Sequence, residues 1–194
     1  MRRALRDITN QIEEIIPLNS GDVVLDIGAN DGTLLQNYSI DGIHRVGCEP
    51  ADNLVDLLKE KADYIMHDFW SYEKYMKLAE QSGFGKAKVI TAIGMFYDLE
   101  DPNQFIRDAR KALSKNGVFV AQLMCLAPMI EKNDIGNICH EHLEYYSLES
   151  IKYLFETNGL EIFKIDENDI NGGSYRIFAR HYNGSGISFE EKYT

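Results

Sequence analysis

Short apolar runs alternate with amphipathic stretches along most of the chain. Leu5, Ile8, Ile12 and the Ile15/Ile16 pair recur at spacings of three and four, which predicts an amphipathic helix inside residues 1–20. Residues 22–27 (DVVLDI) predict a buried strand, and GANDGTLL after them a turn running into a helix that Gly32 begins. Further strands are expected at 45–49 (RVGCE), 64–67, 88–93 (KVITAI) and 118–124 (VFVAQLM), with helices at 52–61, 72–81 and 103–113 between them. Pro102 sits where a helix begins, and Asn116-Gly117 reads as the stop after it. A helix at 148–158 ends on Gly159, and strands follow at 161–165 and 175–180.

Strands alternating with helices imply parallel pairing and right-handed crossovers. The last two strands have no helix between them and predict an antiparallel hairpin at one sheet edge. The expected fold is therefore α/β: a Rossmann-like three-layer α/β/α sandwich around a seven-stranded, mostly parallel sheet with one antiparallel strand. Residues 21–181 would form that domain, after an N-terminal helical segment (1–20) and before a poorly anchored tail (182–194).

Composition narrows the function. An apolar fraction of 44% and a charged fraction of 26% are those of a globular chain. Its net charge of −11 opposes nucleic acid as the main partner. No apolar run approaches the ~20 residues that cross a bilayer, so no membrane partner is expected. Cys48, Cys125 and Cys139 stand apart with no CxxC pair, which fits a reducing compartment, the cytoplasm by default, and no zinc knuckle.

In an open parallel sheet the ligand lies at the carboxyl ends of the strands. The loop after the first strand carries Asp26, Gly28 and Asp31 without the GxGxxG spacing of a dinucleotide site. Its acids suit a ligand bearing an amine or a sulfonium. Glu49 ends the second strand, where an acid commonly accepts from ribose hydroxyls. Asp68-Phe69 follows the third, an acid for an adenine amine beside a ring to flank it, and Gly94–Asp98 after the fourth would floor the pocket. Together they point to a nucleoside. After the fifth strand, Cys139-His140-Glu141-His142 concentrates imidazoles and a carboxylate. Four adjacent residues diverge, which disfavours a metal site; a locally hydrogen-bonded segment and a general base both remain open.

The stretch DVVLDIGANDGTLL resembles the first motif of class I S-adenosylmethionine-dependent methyltransferases. NICHEHLEYYSLESIKYLFETNGLEIF followed by NGGSYRIFAR is similar to the sugar C-methyltransferases, enzymes that alkylate carbon in nucleotide-linked keto-deoxysugars. That resemblance implies S-adenosylmethionine as cofactor, with S-adenosylhomocysteine as product. It implies contacts from Asp26, Gly28, Ala29, Asn30, Glu49, Pro50, Asp68, Phe69, Gly94 and Met95. It implies His142 as the base that makes an enolate, Glu141 beside it, and Tyr145 as a donor to the enolate oxygen. Tyr97, His140, Asn171 and Arg176 would face a small-molecule substrate, with Arg176 toward an anionic group. The family usually has tyrosine in place of Cys139 and often histidine in place of Asp98. Its members also carry a zinc-binding and a nucleotide-sugar-binding domain, so this chain is expected to be a fragment or a shortened relative. An O- or N-methyltransferase, or a non-catalytic cofactor-binding subunit, would share the same cofactor loops.

Overall fold

A computed structural model describes residues 2–133 and 135–182. The expected tail, 182–194, lies outside these residues apart from Tyr182. Among the described residues no helix is long and apolar enough to cross a membrane.

The elements in chain order are α1 (Arg2–Ile15), β1 (Val23–Ile27), β2 (His44–Cys48), α2 (Asp52–Lys59), β3 (Tyr64–Met66), α3 (Tyr72–Ser82) and β4 (Ala87–Ile93). They continue with α4 (Pro102–Ala112), β5 (Leu113–Met124), α5 (Leu126–Lys132), α6 (Leu148–Thr157), β6 (Leu160–Asn168) and β7 (Ser174–His181). The strands form one seven-stranded sheet in the order β3-β2-β1-β4-β5-β7-β6. β1 pairs in parallel with β2 and β4, and β2 with β3, while β7 runs antiparallel to both β5 and β6. This is the Rossmann-like α/β/α sandwich expected, and the terminal hairpin supplies its antiparallel strand.

The described residues divide into two compact units: those up to Ala92 with Lys111–Val118, and Ile93–Arg110 with those from Phe119 on. In the first, β1 is buried along its whole length, as a central parallel strand must be. Ile8 and Ile12 of α1, Leu58 of α2 and Tyr75 of α3 are fully buried. Ser71 caps α3 by accepting from the Lys74 amide, and Gly83, with φ 78°, closes it in the left-handed conformation. In the second unit the core is aromatic. Phe96 packs on Phe105 edge-on at 5.6 Å between centroids, and Phe155 packs on Phe119 at 5.6 Å. Each buried phenylalanine contributes about 1.5–3 kcal/mol. Ser147 and Ser150 cap α6 reciprocally.

Three expectations are corrected. No α-helix follows β1; residues 35–37 make one 3-10 turn. Asn30 (φ 51°) and Gly32 (φ 75°) take positive φ, and Asp31 bonds locally to Thr33, so the segment closes as a turn. A Cβ on Gly32 would also lie 3.0 Å from both Leu58 Cδ1 and Lys61 Cβ. Second, α4 ends at Ala112 and the chain extends at once, so Asn116-Gly117 lies inside β5. A Cβ on Gly117 would sit 2.9 Å from the Lys88 carbonyl, so the glycine serves a close approach and not a helix stop. Third, α5 was not expected: it is seven residues long and holds Pro128, which falls in the first turn, where proline is tolerated.

Candidate active site

At the ends of β1, β2 and β3, each predicted acid has a different setting. Asp26 is 3% exposed and accepts from Thr91 Oγ1 at 2.5 Å. Burial pushes its carboxyl up to about 7; the Thr91 bond opposes this and the charge of Glu49 adds to it. After it the chain turns at Gly28 (φ 73°), and the amides of Gly28 and Ala29 both donate to the Cys48 carbonyl, at 2.9 and 3.0 Å.

Glu49 is buried, and each of its oxygens accepts one main-chain amide. Asn30 donates to Oε2 and Ala51 to Oε1, both at 2.9 Å. The carboxylate thus ties the loop after β1 to the start of α2, leaving Pro50 exposed between them. Each oxygen retains a second lone pair. A Glu49→Gln substitution would set an amide NH2 against one of those N–H donors. The expected result is a fold less stable by ~1–3 kcal/mol, the cost of a buried donor left unsatisfied. Urea unfolding beside the wild type checks it.

Asp31 does not face a ligand as an isolated acid. Partial burial raises its carboxyl, but hydrogen bonds from Lys61 and Thr33 outweigh this and hold it down at about 2. Lys61 Nζ bridges the Asp31 carboxylate and its main-chain carbonyl at 2.8 and 2.7 Å, so the group braces the turn. Asp68 is exposed, and its carboxyl is held below the usual range by Lys74 Nζ at 2.6 Å and the Phe69 amide at 2.8 Å. Phe69 is 74% exposed. An aromatic ring standing in solvent at a strand end is not core packing, and its face is open for stacking.

In the second unit, Gly94 (φ 71°) donates from its amide to the Gln122 carbonyl at 2.9 Å, and Met95 is half-buried. Tyr97 is buried; its hydroxyl donates to the Gly94 carbonyl at 2.8 Å. Its own carbonyl accepts the amides of Leu143 at 2.9 Å and Glu144 at 3.0 Å. This pair of bonds anchors the histidine-rich segment to the loop after β4. The Tyr97 and His142 rings meet at 4.5 Å between centroids and 59° between planes. His142 is half-buried, and its Nδ1 lies 2.8 Å from the Asn137 carbonyl. A carbonyl can only accept, so Nδ1 carries a proton, and in the neutral ring the lone pair is on Nε2. The Tyr145 hydroxyl donates to that same carbonyl at 3.2 Å.

His140 and Glu141 are exposed, and Glu141 makes no hydrogen bond among the described residues. Asp98 is raised by burial; the nearby charge of His142 opposes the rise and that of Glu141 reinforces it, which places all three carboxylate and imidazole groups in one field. No helix begins at Cys139–His142; two turn residues at 140–141 precede a stretch without regular structure, apart from a bridge between Tyr146 and Cys125, up to Ser147. Tyr145 also lines an apolar groove of about 500 Å³ with Leu126, Met129, Ile130, Ile135 and Ile138.

The glycine turn and the cation separate. Asn171 (φ 51°) is exposed in the turn after β6, whereas Arg176 lies three residues beyond Gly173, 3% exposed within β7, with Nε donating to Gln122 Oε1 at 3.0 Å. Asp98 was expected as part of the pocket floor, whereas the sequence gives no role to Asn137 at this cluster.

Residues 1–165 match the methyltransferase-domain family, and the chain belongs to it. The chain is similar to the C-methyltransferase NovU of Streptomyces niveus, at 27% identity over 90% of this chain and 41% of NovU, so it spans about two-fifths of that relative's length. Among solved structures it resembles the magnesium protoporphyrin IX methyltransferase ChlM from Synechocystis PCC 6803 with bound SAH. The TM-score is 0.65, with 10% identity over 92% of this chain and 82% of the other. It also resembles the putative methyltransferase solved with the Haloferax volcanii Trm112 activator, with a TM-score of 0.64 and 14% identity over 93% and 94% of the two chains. At those identities the structures bear on the fold alone.

Proposed function

We propose that the chain is an S-adenosylmethionine-dependent methyltransferase that transfers the methyl group to carbon next to a ketone, in a nucleotide-linked keto-deoxysugar. The strand-end residues of the first unit fit such a nucleoside. Gly28 leaves bare main chain after β1, Glu49 keeps lone pairs for the ribose hydroxyls, and Phe69 offers a ring face beside the Asp68 carboxylate. When bound, S-adenosylmethionine supplies an electrophilic sulfonium methyl that needs only a positioned nucleophile.

The observation that carries the carbon assignment is the His142 imidazole. With Nδ1 donating to the Asn137 carbonyl, Nε2 is a lone pair without a protein partner among the described residues. A neutral imidazole of that tautomer takes a proton from the carbon beside the ketone, and the C–H electron pair becomes the enolate. The Tyr97 ring fixes the imidazole plane by packing on it. Tyr145 is the nearby hydroxyl for the enolate oxygen; in that role it turns from the Asn137 carbonyl toward the substrate. The likeness to NovU supports the same chemistry. Asp98 and Glu141 lie close enough to share a field with His142.

The test is exchange. In deuterated buffer with S-adenosylhomocysteine, the protein is expected to exchange the proton beside the ketone of a nucleotide-linked keto-deoxysugar. With S-adenosylmethionine, the product is expected to carry a new methyl on that carbon. A product methylated on oxygen or nitrogen, with no exchange, overturns the carbon assignment.

A further inference from the structure

The segment NGG at 171–173 resembles part of a substrate loop, yet the structure uses its first residue to hold another residue. Asn137 Nδ2 donates to the Asn171 carbonyl at 3.0 Å. Asn171 is held at φ 51°, and Lys132 Nζ donates to the next carbonyl, that of Gly172, at 2.9 Å. The turn is further fixed at Gly173, whose φ of 135° suits only glycine and where a Cβ would lie 2.6 Å from Pro128 Cβ. Asn137 is therefore pinned at its side chain by a rigid turn. Its main-chain carbonyl in turn faces two donors, His142 Nδ1 at 2.8 Å and Tyr145 Oη at 3.2 Å.

We infer that Asn137 is a positioning residue for His142: its side-chain bond to the Asn171 turn aims its carbonyl at Nδ1 and so selects the imidazole tautomer whose Nε2 is free to accept a proton. The inference rests on the proposal that His142 is the base, but its physical core, the tautomer, stands apart from that role. Asn137 does not touch the reacting atoms. It acts through a carbonyl, which any residue possesses, and the side chain matters because its amide donates to the Asn171 carbonyl.

Nitrogen-15 spectra of the histidine-labelled protein bound to S-adenosylhomocysteine, recorded in the alkaline range, test it. His142→Gln assigns the signals. In the wild-type chain His142 is expected as a single tautomer, with Nδ1 protonated and Nε2 bare. Asn137→Asp keeps the size and removes the donor, and Asn137→Ala removes the contact. Both are expected to yield a mixture of tautomers, with kcat lowered about 10- to 100-fold and KM and cofactor affinity nearly unchanged, the effect of a misaimed catalytic group. A wild-type His142 with a bare Nδ1, or variants that keep the wild-type tautomer, overturns the inference. Failure of the underlying reading looks different: His142→Gln would then still catalyse proton exchange beside the ketone, whatever the spectra show.

Discussion

His142→Ala is expected to lower methyl transfer about 10³-fold, within the range that a positioned general base contributes, while S-adenosylhomocysteine affinity stays within about twofold. The split follows from where the residue stands. His142 belongs to the cluster formed with Tyr97, Asn137 and Tyr145, none of which is among the carboxylates proposed to grip the nucleoside. Removing the imidazole takes away the proposed base, whose ring is oriented by the Nδ1 bond to the Asn137 carbonyl. The Leu143 and Glu144 amides stay bonded to the Tyr97 carbonyl, so the segment has its anchor without the ring. Stopped-flow or product-formation kinetics beside calorimetry read the two quantities separately. Parallel loss of both would mean that the ring is a packing element for Tyr97. Proton exchange beside the ketone should vanish with turnover, which ties the loss to the deprotonation step. Glu141→Gln, removing an exposed carboxylate with no hydrogen-bond partner among the described residues, is expected to cost far less.

The architecture was legible because strand and helix periods differ and each apolar run was bounded by glycine, proline or a polar turn. The segment after β1 was misjudged because its apolar Leu34-Leu35 looks like the start of a helical face. What decides it is φ at Asn30 and Gly32, both residue types that favour the left-handed region, a signal that the apolar pair outweighed. The acids at strand ends were visible as acids, but their states were not. Asp31 is neutralised by a lysine thirty residues on in the sequence, and Asp26 is desolvated by packing that no local pattern encodes. Asn137 heads the NICHEHLEYY stretch, yet nothing there singles it out: the positioning proposed for it runs through a main-chain carbonyl, which is common to all residues. Phe69 shows the opposite case: an aromatic beside an acid was ambiguous between core and ligand, and exposure alone settled that it is not core.

Asp26→Asn is expected to change the pH dependence of stability more than any other single substitution in the first unit. The Asp26 carboxyl is raised from 3.8 to about 7, chiefly by burial. Below about pH 4 it is protonated in folded and unfolded chains alike. Between about pH 4 and 7 the unfolded chain releases the proton and the folded chain keeps it, so stability falls as pH rises. Above about pH 7 both forms are ionised and the deficit is constant, at most about 4 kcal/mol. The groups that sense this charge are Glu49 and Thr91 beside it, Cys48, and Tyr38, whose buried hydroxyl has no hydrogen-bond partner among the described residues. The asparagine carbonyl still accepts from Thr91, while its amide adds a desolvation cost that is the same at every pH. The measured quantity is therefore the difference in slope, not the difference at one pH. Urea unfolding of the ligand-free protein should show the variant gaining on the wild type by about 3 kcal/mol between about pH 5 and pH 8. Parallel curves would mean that Asp26 ionises in the ordinary carboxylate range. In that case the strand end would carry a full negative charge across the whole range.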